Sequence, residues 1–283
     1  MEKNSKKIKF FGLLCLNVTL LVSFMLLTYP AFASSENKKL MQPQCIQSMV
    51  TNATNIVLVH GFWADGSSWS KVIPILTNAG HQVVAVQLPL HSVADDVATV
   101  KRALEQLKGP IILVGHSYGG FVITNAAYNN PNVTGLVYIA ALAPDEGETG
   151  NDYVKTWPKE FIEAGVGSVK PDSGGFLFIA QDKFHELFAQ DVDGAEADIM
   201  AAVQKPPNQS MFAEKSGPPA WKQLPAWFQV SENDRVIYPG TERNFAERMN
   251  ATTLSLNSSH ASLVSHPNEI AELILNATKG STK

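Results

Sequence analysis

A serine framed by glycines, Gly115-His116-Ser117-Tyr118-Gly119, follows the apolar run Ile111 to Val114 and precedes a segment of helical character. A G-x-S-x-G pentapeptide between strand and helix exposes a serine hydroxyl above a sheet, and its glycines let neighbouring backbones approach closely. By composition a bare copy would arise in about one chain of this length in ten, so the flanking segments carry the argument. A second strand-like run, Val57-Leu58-Val59, ends in His60-Gly61-Phe62. Where a serine on such a turn acts as a nucleophile, the loop after the neighbouring strand gives one backbone N–H to the oxyanion and the residue after the nucleophile gives the other, which nominates Phe62 and Tyr118. His60 is expected to shape its loop by hydrogen bonding rather than to titrate.

A serine at its free pKa is a poor nucleophile, so an acid and then a base should follow it in chain order. Three histidines lie downstream. His185 falls in an aromatic-rich stretch and His266 just before Pro267, positions that suit surface or capping roles. His260 follows the last strand-like run through Asn257-Ser258-Ser259, which puts it on a loop at a strand end. His260 is therefore the expected base. Asp234 and Glu232 both lie directly after the strand-like run ending at Val230, and spacing leaves the choice of acid between them open.

Six short β-branched runs must position these residues: Ile56–His60, Val83–Gln87, Ile111–Gly115, Val133–Ala140, Trp227–Val230 and Thr252–Leu256. Helix-like stretches separate them, over Trp69–Ala79, Ala94–Leu107, Phe121–Tyr128, Thr241–Met249 and Asn268–Ala277, with Ser92 placed to cap the second. Near-continuous apolar strands alternating with helices predict an α/β fold: a mostly parallel six-stranded sheet with helices on both faces. The alternation breaks from Pro144 to Pro219, where aromatics mix with Pro and Gly. That insertion is expected to cap the sheet edge where Ser117 emerges, with Trp157, Phe178 and Phe184 as candidate substrate contacts.

The 283 residues are 45% hydrophobic and 17% charged with net charge -4, a globular composition with no basic excess for nucleic acid. The lysines at 3, 6, 7 and 9 precede an apolar run from Phe10 to Leu27 and the small-residue site Ala31-Phe32-Ala33, the layout of a signal peptide cleaved after Ala33. An uncleaved membrane anchor is the competing reading, since the run approaches spanning length. On the first reading, residues 1–33 are a leader, 34–54 a polar tail and 55–283 the folded α/β domain with its cap, without stable membrane insertion after cleavage. Cleavage would leave Cys45 as the single cysteine, so no internal disulfide is expected. The histidines form no metal-ligand spacing, and neither cofactor nor metal is expected.

The motifs V-H-G-F-W-A-D-G-S-S-W, G-H-S-Y-G-G, S-E-N-D-R-V-I and S-S-H-A-S-L-V-S-H-P, spread between Asn55 and about Ala277, bring a resemblance into view. The chain resembles the α/β-hydrolase superfamily, in particular small bacterial esterase-like hydrolases related to plant methylesterases and hydroxynitrile lyases. The resemblance implies the α/β-hydrolase fold, places the acid at Asp234 and completes a triad of Ser117, Asp234 and His260. Many relatives carry D-x-P-G-H-G after the second strand; here the segment is Gln87-Leu88-Pro89-Leu90-His91-Ser92, without the glycines. The expected activity is cleavage of a small-molecule ester or lactone through an acyl-serine intermediate. A lyase on the same triad would need an added cationic or hydroxyl group in the pocket, and a non-catalytic ligand-binding protein is the third reading.

Overall fold

The structure, a computed structural model, describes residues 54–280. The expected leader, nearly all of the tail and both cysteines lie outside the described residues. The chain enters β1 (Asn55–Val59), makes a 3-10 turn at Gly66–Trp69, then forms α1 (Val72–Asn78), β2 (Gln82–Val86), α2 (Val93–Glu105), β3 (Ile111–His116), α3 (Tyr118–Ala126) and β4 (Val133–Ile139). A detour carries α4 (Gly150–Val154), α5 (Lys159–Ala164), the short strands β5 (Lys170–Pro171) and β6 (Leu177–Phe178), α6 (Gln181–Phe188) and α7 (Gly194–Val203). The sheet resumes with β7 (Ala226–Ser231), α8 (Pro239–Arg248), β8 (Thr252–Leu256), α9 (Ser262–Ser265) and α10 (Pro267–Gly280). None of the described helices is long and apolar enough to cross a membrane.

The main sheet runs β2-β1-β3-β4-β7-β8 with every pairing parallel. Its strands lie within one residue of the expected ends. Residues of β1, β3 and β7 are buried throughout, whereas the edge strands β2 and β8 stay partly exposed. That difference follows from helices covering both faces of the centre. Chain direction reverses once, because β2 lies to one side of β1 and every later strand to the other; right-handed crossovers then send α1 and α2 to opposite faces. The reversal leaves a crevice above the carboxyl ends of β1 and β3, where the loop after Val59 and the turn after His116 diverge.

Two helix starts differ from expectation by three residues. The first helix begins at Val72 instead of Trp69, because Asp65 caps a separate 3-10 turn by accepting from Ser67 N–H. The third begins at Tyr118 instead of Phe121. Gly119 and Gly120 are helical there, since tight packing outweighs their poor propensity. Ser92 caps α2 as expected, accepting from Asp95 N–H at 3.1 Å.

The detour is a cap tied to the sheet's loops by specific bonds. Trp63 Nε1 donates to Leu177 O at 2.8 Å and Trp63 N–H to Lys205 O at 3.0 Å. Asn208 N–H donates to Leu90 O at 3.1 Å, and Glu214 Oε2 accepts from Val93 N–H at 2.9 Å.

Candidate active site

Ser117 occupies the turn between β3 and α3 with φ 57° and ψ −126°, a conformation costly for any residue with a Cβ. Its neighbours hold it there. Ser117 N–H donates to Ile139 O at 3.1 Å, and its own carbonyl accepts from Leu142 N–H at 3.1 Å. The crowding explains two glycines: a Cβ on Gly119 would sit 2.4 Å from Val59 O, and one on Gly61 would sit 2.5 Å from Ser117 Cβ. The β1 loop and the serine turn are thus in van der Waals contact only because both glycines lack side chains.

Phe62 and Tyr118 meet face to face above this turn, ring centroids 4.1 Å apart and planes 12° from parallel. Tyr118 supplies the first N–H of α3, which has no acceptor within the helix. Phe62 N–H has no backbone acceptor among the described residues, unlike that of Trp63.

At the far side of β4, Ser231 of β7 pairs with Leu256 of β8, which aligns the loops carrying Asp234 and His260. Asp234 Oδ2 lies 2.5 Å from His260 Nδ1, while Oδ1 accepts from Val236 N–H at 2.6 Å and Ile237 N–H at 2.8 Å. The carboxylate accepts, so the proton of the neutral imidazole sits on Nδ1 and Nε2 keeps its lone pair. Nε2 is buried without a hydrogen-bond partner. Glu232, the rival acid, instead pairs with Arg243 at the surface. His185 contacts Val192 O at 2.9 Å and His266 lies 3.8 Å from Asp191, so neither is the partner of Asp234.

His60 is buried and bridges its loop to the next, its Nδ1 2.8 Å from Gly61 O and its Nε2 accepting from Leu88 N–H at 2.9 Å. Burial lowers its pKa to about 4, so it is neutral near pH 7.

Sequence reasoning missed three groups around the Asp234–His260 pair. His116, the variable residue of the pentapeptide, is wholly buried with Nε2 2.8 Å from His260 O, and burial holds it well below the usual histidine range. Glu242 is buried and accepts from Ser231 N–H at 2.9 Å; burial first, then the charge of Asp234, pushes its carboxyl well above the usual range. Asp191, on the cap, accepts from Ser259 N–H at 2.9 Å beside His260. His116 was visible in the motif, but nothing in the sequence marked Glu242 or Asp191.

A narrow cavity of about 40 Å³ opens over Ser117, walled by Phe62, Leu142, Trp157, Phe212, Val236 and Ile237, with no Asp, Glu, Lys, Arg or His in its lining. Of the three aromatic candidates in the cap, only Trp157 lines it. Phe184 is fully buried and stacks on Phe188 at 4.9 Å, and Phe188 in turn meets the His260 ring edge-on at 4.9 Å. Phe178 is 43% exposed, pointing away from the core at the end of β6. These two placements leave Phe178 and Phe184 outside the lining of the cavity over Ser117.

Residues 56–273 match the alpha/beta hydrolase family. Over 249 residues the chain is 26% identical to a pyrethroid hydrolase of Sphingobium wenxiniae, covering 78% of this chain and 86% of that one. It superposes on the crystal structure of a pyrethroid hydrolase from Sphingobium faniae JZ-2 with TM-score 0.68 at 23% identity, over 79% of this chain and 96% of that one. An extracellular alpha/beta-hydrolase from a Paenibacillus species, described as sharing structural and functional homology with tobacco salicylic acid binding protein 2, superposes with TM-score 0.65 at 21% identity, over 79% and 98%.

Proposed function

The chain belongs to the alpha/beta hydrolase family, and from that premise we propose that it cleaves a neutral, largely apolar carboxylic ester or lactone through an acyl-serine intermediate. The observation that carries this reading is the buried Asp234–His260 pair, with an imidazole Nε2 lacking any other partner, beside the strained Ser117 turn. Ser117 Oγ attacks the carbonyl carbon while its proton passes to His260 Nε2. The carbonyl oxygen, now anionic, takes hydrogen bonds from Phe62 and Tyr118 N–H. As the tetrahedral adduct collapses, the C–O bond to the leaving alcohol breaks and that oxygen takes the proton from Nε2. Water repeats the sequence on the acyl-enzyme, releasing the acid and restoring Ser117. Ser117 and His260 share no hydrogen bond before substrate arrives, a common condition in unliganded hydrolases.

The cavity lining supports the substrate class. A carboxylate or ammonium buried there would have no partner and would pay its desolvation in full, whereas an apolar acyl or alcohol group loses nothing. The names of the pyrethroid hydrolases point the same way. The test is turnover of a graded panel of aryl esters and lactones by wild type and Ser117→Ala, with a fluorophosphonate adduct mapped by mass spectrometry. The reading expects the adduct on Ser117 and loss of turnover by roughly 10⁴ or more in the variant. Wild-type turnover by Ser117→Ala would end it.

We also propose export with cleavage after Ala33, supported by the order of lysine cluster, apolar run and small-residue site. Amino-terminal sequencing of the extracytoplasmic protein should begin at Ser34. Recovery of an intact Met1 end from membranes would make the chain an anchored enzyme instead.

A further inference from the structure

One buried carboxyl takes no part in the chemistry above. Asp96 sits in the first turn of α2, where acidic residues ordinarily face water and complement the helix dipole. Here it is wholly buried, with both oxygens used: Oδ2 accepts from the Tyr118 hydroxyl at 2.9 Å and Oδ1 from Leu90 N–H at 2.9 Å. Burying a carboxyl with no chemical role is costly even when both oxygens are paired, so its partners are informative. Tyr118 supplies one proposed oxyanion N–H, and its ring is the platform on which Phe62, the other donor, stacks. Leu90 stands at φ 61°, in the left-handed region, at the position where the D-x-P-G-H-G pattern has glycine. The bonds from Leu90 N–H to Asp96 and from Asn208 N–H to Leu90 O hold that strained leucine in place.

We propose that Asp96 is a positioning residue that fixes Phe62 and Tyr118 as oxyanion donors, an inference that rests on the serine-hydrolase reading. The link is direct to Tyr118 through its hydroxyl, and passes to Phe62 through the stacked rings. A backbone N–H must sit about 2.7–3.1 Å from the developing oxyanion, so a small tilt of this stack weakens both bonds in the transition state while leaving substrate binding largely intact.

The carboxyl also titrates in an accessible range. Burial raises Asp96 to about 6, against the bonds from Leu90 and Tyr118. The charged groups around it are Asp95 on its own helix, Lys205 from the cap and, next to Tyr118, Glu214 from the cap. Protonation turns one of its two acceptors into a donor that faces Leu90 N–H or the Tyr118 hydroxyl. The grip on the stack therefore loosens as pH falls through about 6.

The experiment measures kcat and KM for an aryl ester from pH 5 to 8, and the affinity for phenylboronic acid, whose serine adduct places an oxygen between the oxyanion donors. It compares wild type, Asp96→Asn, Tyr118→Phe and the double variant, with thermal unfolding followed alongside. Tyr118→Phe should lower kcat and phenylboronic acid affinity about tenfold at pH 8 with KM within about twofold, less than the 10²–10³ for loss of a whole donor. Asp96→Asn can still accept from Leu90 N–H and donate to Tyr118 Oη, so it should keep a reduced kcat that has lost the wild-type component near pH 6. The double variant should be no worse than the more impaired single variant, because both cut one link. If Asp96→Asn does not fold, Tyr118→Phe decides alone. Unchanged kcat and phenylboronic acid affinity in Tyr118→Phe, or losses confined to KM or thermal stability, would overturn the inference. Ser117→Ala separates the two levels: activity surviving in that variant sinks the serine-hydrolase reading, whereas Ser117-dependent activity indifferent to Asp96 and Tyr118 sinks only this one.

Discussion

Asp234 reaches His260 from the opposite side of its own loop: one carboxylate oxygen is held by Val236 and Ile237 N–H, and the other meets Nδ1 at 2.5 Å with both side chains fully buried. The two backbone donors fix the carboxylate whether or not the histidine is present, so Asp234 orients His260 and not the reverse. Asp234→Asn keeps an acceptor for Val236 and Ile237 but turns an amide N–H toward His260 Nδ1. The imidazole must then carry its proton on Nε2, where it cannot accept one from Ser117. Steady-state kinetics should register a fall in kcat of about 10⁴. Glu232→Gln, which touches only the surface pair with Arg243, should leave kcat within about twofold. Reversal of these two results would move the acid to Glu232.

The three cap aromatics should separate into three phenotypes. Trp157→Ala widens the cavity and should change the kcat/KM ratio between short and long acyl esters by roughly 10-fold or more, the scale of one or two methylenes in an apolar pocket. Phe184→Ala should leave that ratio alone and cost about 3–5 kcal/mol of unfolding free energy, because it empties a fully buried stack on Phe188. Phe178→Ala should do neither, staying within about 0.5 kcal/mol. Unaltered selectivity in Trp157→Ala would make the cap a structural cover.

Glu242 gives a stability prediction with a definite sign. Its carboxyl is raised well above 4.5 in the folded chain, first by burial and then by Asp234, so the native state keeps a proton that the unfolded state gives up. Stability from this group is present below pH 4.5 and lost as pH rises toward the folded value, at about 1.4 kcal/mol per pH unit. Glu242→Gln carries no such cost. Urea unfolding at pH 5 and pH 7 should find the variant gaining on wild type as pH rises between the two conditions. Parallel profiles would mean that Glu242 ionises normally.

Much of this architecture was legible because it is local. The strands β1 and β3 read as unbroken apolar runs since helices cover both their faces, and Ser117 announced itself through glycines required within four residues of it. Asp96, His116, Asp191 and Glu242 were not legible, because what makes each matter comes from another segment: Tyr118 for Asp96, His260 for His116, Ser259 for Asp191 and Asp234 for Glu242. An acidic residue in a helix's first turn looks the same in sequence whether it faces water or a tyrosine. The cap shows the same limit. Phe184 and Phe188 share one face of α6, but sequence periodicity does not say whether that face meets substrate, the base or the core.

The pairing of β4 with β7 sets an order of assembly. Leu136 lies opposite Ala226, so the two strands can join only by closing a loop of about 90 residues that contains the whole cap. Closure on that scale costs about 4 kcal/mol of chain entropy, and parallel pairing at such range is slow. The serine turn needs only β1, β3, α3 and the end of β4, all within residues 55–142, while Asp234 and His260 arrive with β7 and β8. A refolding chain should therefore own its nucleophile before it owns the base. Far-UV circular dichroism should recover ahead of ester turnover in stopped-flow refolding, and simultaneous recovery would refute the order. During that lag the cap's aromatics are uncovered, so dilution, more than temperature, should govern the yield of active enzyme.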